Sequence, residues 1–225
     1  MKINVLNEGF VRLVEHVGSD LSIVRSARVS YDADWRTGED AGKDEKLIRY
    51  LLKNHHTSPF ESVVFTFEIK CPMFIARQWH RHRTWSYNEV SARYTKLDEG
   101  FYIPTEESVG RQAKHNKQMR VIEENSEESA EIVDLIARSL VDSNSTYLKL
   151  IDLGCPRELA RSVLPTAAYT RFFGTVNLHN LFHFIRLRIH EHAQYEIRGY
   201  AKALLNLIEP HVPVAVEAFK EFQLS

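Results

Sequence analysis

Between Gln78 and Tyr94 the chain reads QWHRHRTWSYNEVSARY. Arg81, Arg83 and Arg93 stand there with His80 and His82, and Trp85, Ser86, Tyr87, Asn88, Glu89 and Ser91 are interleaved. A guanidinium is planar and offers paired donors, so it can hold a phosphate or carboxylate by two bonds at once. Aromatic rings between the arginines suit an anion that carries a flat ring. The same residues could instead form a solvated basic face. Three features favour a binding site: no lysine from His80 to Tyr94, two tryptophans (Trp79, Trp85) among the charges, and Glu89 as the only acid.

Composition narrows the partners. The chain has 225 residues, 44% hydrophobic and 26% charged, with a net charge of −1. That balance suits a globular protein rather than a nucleic-acid coat, and the local arginines then point to a small anion. The two cysteines, Cys71 and Cys155, have neither metal-ligand spacing nor a disulfide framework, which implies a reducing cytoplasm. MKINVLNEGF contains no apolar signal region and no stretch is long enough to span a membrane, so a cytoplasmic protein without membrane partners is expected.

The elements that must carry the site follow from periodicity. Residues 3–17 alternate around Asn7-Glu8-Gly9 and predict a hairpin. Asp20 is placed to cap a helix over LSIVRSARVS. Residues 32–45 read as a loop, and Asp44 to Asn54 as a helix that ends at His55 to Glu61, where Pro59 excludes helical backbone at Ser58. Val63 to Lys70 is a strand by its β-branched and aromatic content. Pro72 opens a helix over CPMFIARQWH, on which Ile75, Gln78, Trp79 and His82 share a face. A strand over 79–83 is the alternative.

Residues 95–120 are expected to be irregular, with FYIP as a short edge strand. Glu123 to Leu153 is a long helix, with Ile132, Leu135, Ile136, Leu140, Val141, Tyr147, Leu148 and Ile151 in the core. Gly154-Cys155-Pro156 stops it, RELARSVLP forms a helix bearing Arg161, and Thr166 to Val176 is a third strand. Asn177 caps LHNLFHFIRLRIHEHAQYEI, and Ala193–Ile208 and Val212–Phe222 close the chain as helices. One α+β domain over 1–225 follows, a central antiparallel or mixed sheet flanked by helices. No G-x-G-x-x-G is present, so a Rossmann cofactor site is not expected.

Other chemistries compete. His179 and His183 lie four apart on a helix, but HNLFH lacks the glutamate of H-E-x-x-H, so no metal is expected. A metal-dependent phosphohydrolase stays as the alternative. An RNA-binding module, with Trp85, Tyr87 and Tyr94 stacking bases, is a third reading that the overall neutrality disfavours. Neither cysteine neighbours a histidine, and each reads as a small buried hydrophobe rather than a nucleophile.

Arg81-His82-Arg83, seven residues and then Ser91 resemble the RHR-x7-S signature of the flavin-dependent thymidylate synthases. The flanking Gln78-Trp79 and Ser91-Ala92-Arg93-Tyr94 are similar too, as are His56-Thr57-Ser58-Pro59-Phe60-Glu61, PRELARSVLP and NLHNLFHF…LRIHEHAQYEIRGYA. The chain departs from the family at His179, where other members carry arginine, at Ala92, where glycine is frequent, and at His183, where some carry asparagine.

The resemblance implies conversion of dUMP to dTMP, with 5,10-methylenetetrahydrofolate as carbon donor and NADPH reducing bound FAD. It implies substrate contacts from Gln78, Trp79, His80, Arg81, Glu89, Val90, Ser91, Ala92, Arg93, Arg161 and Arg188. It implies FAD contacts from Ser58, Arg81, His82, Arg83, Glu89, Asn177, His179 and His183. Arg188 is the expected catalytic residue, and a homotetramer with shared active sites is the expected assembly.

Overall fold

The computed structural model describes residues 1–33, 36, 38–114, 120–122 and 127–224. Its centre is a five-stranded sheet of β1 (Lys2–Val5), β2 (Gly9–Val17), β3 (Val64–Pro72), β4 (Ser86–Glu89) and β7 (Tyr169–Asn177). The order is β1-β2-β3-β7-β4, and every pairing is antiparallel. Of the two arrangements the sequence allowed, the sheet is therefore the antiparallel one. A two-residue ribbon of β5 (Arg111–Gln112) and β6 (Arg120–Val121) stands apart.

The pleat of β3 explains the layers. Phe65, Phe67, Ile69 and Cys71 alternate onto one face and are fully buried. Opposite them on β7 lie Val176, Gly174, Phe172 and Thr170. Gly174 suits this close packing, because a Cβ there would stand 3.0 Å from the Trp85 ring. The other face is polar. Glu68 takes Arg12 at 2.6 Å and Arg171 at 3.5 Å, while Lys70 meets Glu8 and Glu99 at 3.6 and 3.5 Å.

The apolar face is covered by α1 (Asp20–Arg28), α2 (Ala41–Lys53), α7 (Leu178–Ile189), α8 (Tyr195–Ile208) and α9 (Pro213–Gln223), whose inward residues join one core. α2 starts at Ala41, inside the expected loop, because the Asp40 side chain accepts from the Lys43 N–H at 3.1 Å. Asp44, the expected first residue, lies within the helix, buried and paired with Arg28 of α1.

Asp20 likewise does not cap its own helix, whose N-cap is Ser19. Its two carboxylate oxygens accept from the N–H groups of Val214 (2.9 Å) and Ala215 (3.0 Å), in the first turn of α9. A spacing rule reads the nearest helix start; the tertiary fold supplies one 194 residues away.

Three other expectations change. The helix after Pro72 is short, α3 (Met73–Trp79), and the chain then turns into β4, which neither the helix nor the strand reading of this segment placed. FYIP makes a single bridge, Phe101 to Ala168. The long helix is α5 (Glu127–Asp152), and its expected start at Glu123 lies outside the described residues.

Of the apolar residues on α5, Leu140 and Tyr147 are buried, but Leu135 is 54% and Val141 64% exposed. α5 packs on α4 (Glu106–Val109), α6 (Arg157–Ala160) and the 161–163 turn rather than on the sheet, so its apolar stripe is only partly covered. Cys71 is buried as expected, whereas Cys155 is half-exposed.

Asp20→Ala removes the acceptor for two first-turn N–H groups of α9. It should lower stability by about 1–2 kcal/mol, read as a lower urea midpoint at unchanged slope. An unchanged midpoint would show that this cap contributes nothing.

Candidate active site

The register of β3 and β7 places two sets of expected site residues. Val64 pairs with Asn177 and Pro72 with Tyr169, so the two nine-residue strands run the full length of each other. At the Pro72–Tyr169 end, α3 leaves β3 with the N–H groups of Met73 and Phe74 donating to the carbonyls of Ala168 (2.9 Å) and Thr166 (3.1 Å). That junction, with β4 and the chain following it, encloses a cavity of about 390 Å³ lined by Met73, Glu89, Val90, Ser91, Ala92, Leu97, Arg161, Leu164 and Thr170.

Five expected substrate residues therefore meet there: Glu89, Val90, Ser91 and Ala92 from the signature, and Arg161 from the helix after Pro156. Buried Thr170 donates its hydroxyl to Glu89 Oε1, which aims the carboxylate. Arg161 also opens onto a shallower recess with Arg93 and Glu158. Glu158 restrains both arginines: its carboxylate lies 3.9 Å from Arg93 Nε, and its carbonyl accepts from Arg161 Nε at 3.4 Å.

At the Val64–Asn177 end, α7 begins. Asn177 caps it as expected, accepting from the Asn180 N–H at 2.9 Å. His179, His183 and Arg186 recur at i, i+4 and i+7, one helical face. They line a cavity of about 100 Å³ with Leu52, His55, Thr57, Phe60, Phe182 and Gln223. His55 holds a left-handed backbone (φ 57°) at the end of α2. Ser58 itself is exposed at the start of the 3₁₀ turn Ser58–Ser62, and it is the preceding Thr57 that reaches the cavity. Thr57, His55 and Arg186 are missing from the expected set; the helical spacing from His179 would have found Arg186.

His82 joins this region to the signature. It is 9% exposed, its ring lies 6.1 Å from that of His183, and its Nε2 accepts from Arg188 Nε at 3.0 Å. Burial, then the charges of Arg188 and His183, lower its pKa to about 4. His82 is therefore neutral, with its proton on Nδ1 and a lone pair turned to the guanidinium. Burial lowers the His183 pKa too, followed by Arg186 and His179, and it lowers that of Arg188.

Arg188 pairs with neither Glu191 nor Glu196, the two carboxylates near it in sequence, since the former lies beside His192 and the latter beside Arg120. Among the described residues its only hydrogen-bonding partner is His82, and its terminal nitrogens stay open to a ligand.

The turn between α3 and β4 is tied down from inside. Tyr87 sets its hydroxyl against the carbonyls of Trp79 (3.0 Å) and His82 (2.9 Å). The Trp79 ring is fully buried among Trp85, Phe172, Phe184 and Tyr200, so its side chain faces the core and no cavity. The His80 ring packs on Tyr87 and Phe172 with its Nε2 buried and unpartnered. With Trp79 and His82 inside, the alternate Arg81 and Arg83 are left exposed. Gln78 lies in neither cavity; it donates to Gln194 at the start of α8.

Among the described residues no three His, Cys, Asp or Glu side chains converge as a metal site would need. Burial raises the Cys71 thiol well above its usual pKa, so no thiolate forms there. Among the described residues, too, no helix is long and apolar enough to cross a membrane.

Known proteins resemble this chain throughout. The model of the family described as thymidylate synthase complementing protein matches residues 12–214. A flavin-dependent thymidylate synthase of Thermotoga neapolitana is 45% identical over 222 residues, which is 99% of this chain and 95% of that protein. One of Thermus thermophilus is 46% identical over 224 residues, 100% of this chain and 80% of that protein. The crystal structure of the UMP/dUMP methylase PolB of Streptomyces cacaoi, bound with 5-Br dUMP, superposes with a TM-score of 0.89 at 35% identity and covers 98% of both chains. With the family match spanning both ends of the β3–β7 ladder and the signature lining one of the two cavities there, the chain belongs to the flavin-dependent thymidylate synthases.

Proposed function

We propose that this chain is a thymidylate synthase that methylates dUMP to dTMP, with 5,10-methylenetetrahydrofolate as carbon donor, NADPH as reductant and FAD as resident cofactor. The observation that carries the reading is the cavity in which Glu89, Ser91 and Arg161 meet. A guanidinium facing a hydroxyl and a carboxylate suits a phosphate at one end and sugar or base donors at the other. Arg93 lies beside it as a second cation.

The histidine cavity fits FAD in chemistry. Its lining offers His55, Thr57, His179, His183 and Arg186 and no carboxylate, a donor-rich set for a diphosphate or a flavin edge. Its volume of about 100 Å³ takes only part of such a molecule. Ser58, Arg81, Arg83, Glu89 and Asn177 would contact other portions, with His82 beside the cavity. Bound and reduced, FAD would supply the hydride that completes the methyl group.

The protein's own residues do the rest. Arg161, Arg93 and Ser91 hold the phosphate, with Gln78, His80, Arg81, Val90 and Ala92 as the further substrate contacts; Trp79, buried in the core, is not among them. Arg188 is the catalytic group. Attack from uracil C5 on an electrophilic carbon needs electron density in the ring, and a fixed cation at the ring edge stabilises the ionised form. His82 fixes that cation by its Nε and leaves the terminal nitrogens for the base.

The domain is the whole of 1–225, working in the cytoplasm, and its partners are small molecules and copies of itself. Two observations support a homotetramer with shared sites. The cavities lie at opposite ends of a nine-residue ladder, itself roughly 27 Å long at about 3.4 Å per residue. Hydride transfer needs contact, so a nucleotide in one cavity would meet a flavin from another chain. The uncovered apolar residues on α5 supply a surface for such pairing.

The purified protein is expected to take up FAD, with an oxidised-flavin spectrum that NADPH bleaches; a colourless protein that refuses FAD would overturn the reading. Light scattering should give the mass of four chains, and a fully active monomer would remove the shared sites. Arg188→Lys and Arg188→Ala should still allow FAD reduction by NADPH while dTMP formation falls by about a hundredfold, the scale of one lost transition-state donor. Near-parent dTMP formation by Arg188→Ala would refute its role.

A further inference from the structure

Gln78 ends a chain of hydrogen bonds that begins at a buried carboxylate. Glu196, 2% exposed at the start of α8, accepts at Oε1 from the Tyr102 hydroxyl (2.9 Å) and from Arg120 (2.7 Å), and at Oε2 from Gln194 Nε2 (2.9 Å). Gln194 Oε1 in turn accepts from Gln78 Nε2. Among the described residues nothing donates to Gln78 Oε1, and Gln78 is half-buried.

The direction of this chain follows from chemistry alone. An amide turned end over end keeps its shape, so its oxygen and nitrogen must be assigned from the partners. A carboxylate paired with an arginine only accepts. Gln194 must therefore turn its NH2 to Glu196, which leaves its oxygen toward Gln78. Gln78 must then turn its own NH2 to Gln194, and its carbonyl oxygen is what remains for a ligand. One buried charge sets the polarity of two neutral amides in series.

We propose that Gln194 and Glu196 are positioning residues that make Gln78 present a hydrogen-bond acceptor, and that this acceptor selects a base with an N–H at N3, uracil over cytosine. The inference rests on the proposed dUMP reading and deepens it. Gln78 stands outside the cavity of Ser91 and Arg161 but on α3, whose first residue, Met73, lines that cavity, so a nucleotide whose phosphate lies there would reach toward Gln78 with its other end. An acceptor oxygen also repels phosphate. Uracil N3 carries a proton for that oxygen, whereas cytosine N3 carries a lone pair against it. A site whose polar group is left facing a like group rejects such an analogue strongly.

The test is calorimetric binding of dUMP and of dCMP to FAD-loaded protein, parent against Glu196→Gln and Gln194→Leu. Glu196→Gln makes the end of the relay ambiguous, because an amide can donate as well as accept. Gln194→Leu cuts the relay without touching the Glu196–Arg120 pair, and it serves if the buried substitution unfolds the protein. The parent should prefer dUMP, and the Kd ratio of dCMP to dUMP should fall about tenfold in each folded variant, the scale of one hydrogen bond. A merely structural role would weaken both ligands together and leave the ratio alone.

An unchanged ratio in folded Gln194→Leu, or a parent that binds both nucleotides equally, would overturn the inference while the thymidylate synthase reading stands. A parent that binds neither would remove both. 2′,3′-Dideoxyuridine monophosphate separates the sugar from the base. If the parent rejects it and the variants accept it while the dCMP ratio holds, the acceptor serves the 3′-hydroxyl and the base assignment is wrong.

Discussion

The pairing of β3 with β7 is the constraint on which the rest depends. It joins Val64–Pro72 to Tyr169–Asn177 in full antiparallel register, across about a hundred residues of intervening chain. Each strand delivers a helix at its C-terminal end, and antiparallel pairing sends the two helices to opposite ends of the ladder. α3 and the signature therefore leave beside the turn that carries Arg161. α7, with its histidines, leaves beside Thr57 and Phe60. A shift of one residue would turn Phe65, Phe67 and Ile69 toward the polar face and exchange them for Thr66 and Glu68.

The aromatic packing on the inner face holds the signature against that ladder. Trp79 and Trp85 flank a turn of five residues, and both rings are buried, one fully and one at 5% exposure. With its ends anchored, the turn has little freedom, and the one Tyr87 hydroxyl is shared between the carbonyls of Trp79 and His82. The consequence is alternation: His82 is drawn inward to Phe184 and Arg188, while the arginines on either side of it remain outside. A neutral imidazole beside a partly buried guanidinium is the electrostatic result, since the cation and the low polarity both oppose a second charge.

The polar groups of the site are organised in the same way, by pairs in which one member, Glu196, Arg188 or Glu89, can only accept or only donate. Glu196 fixes the amides of Gln194 and Gln78. His82, held neutral, fixes Arg188 by one nitrogen, and Thr170 fixes Glu89.

The sequence by itself determined the family, the signature, the main strands and most helix interiors. Those are local properties: RHR-x7-S is contiguous, and β-branched alternation and helical spacing are read within one element. The Asn177 cap was legible for the same reason, since its acceptor and donor are three residues apart. Only the tertiary structure decided what depends on distant partners. Asp20 looked like the cap of α1 and caps α9, because the helix end that lacked an acceptor lay across the fold. β4 was hidden for a related reason, since its four residues become a strand by pairing with β7 and have weak propensity alone. The stripe on α5 read as core because spacing shows that residues share a face, not that anything lies against it. Arg161 was nameable from its motif, but its meeting with Ser91 and Glu89 required the ladder. The pairing of Arg188 with His82, rather than with a neighbouring carboxylate, likewise required α7 to lie across the turn. Residue types set which bonds are chemically available; the fold sets which of those groups come within reach of each other.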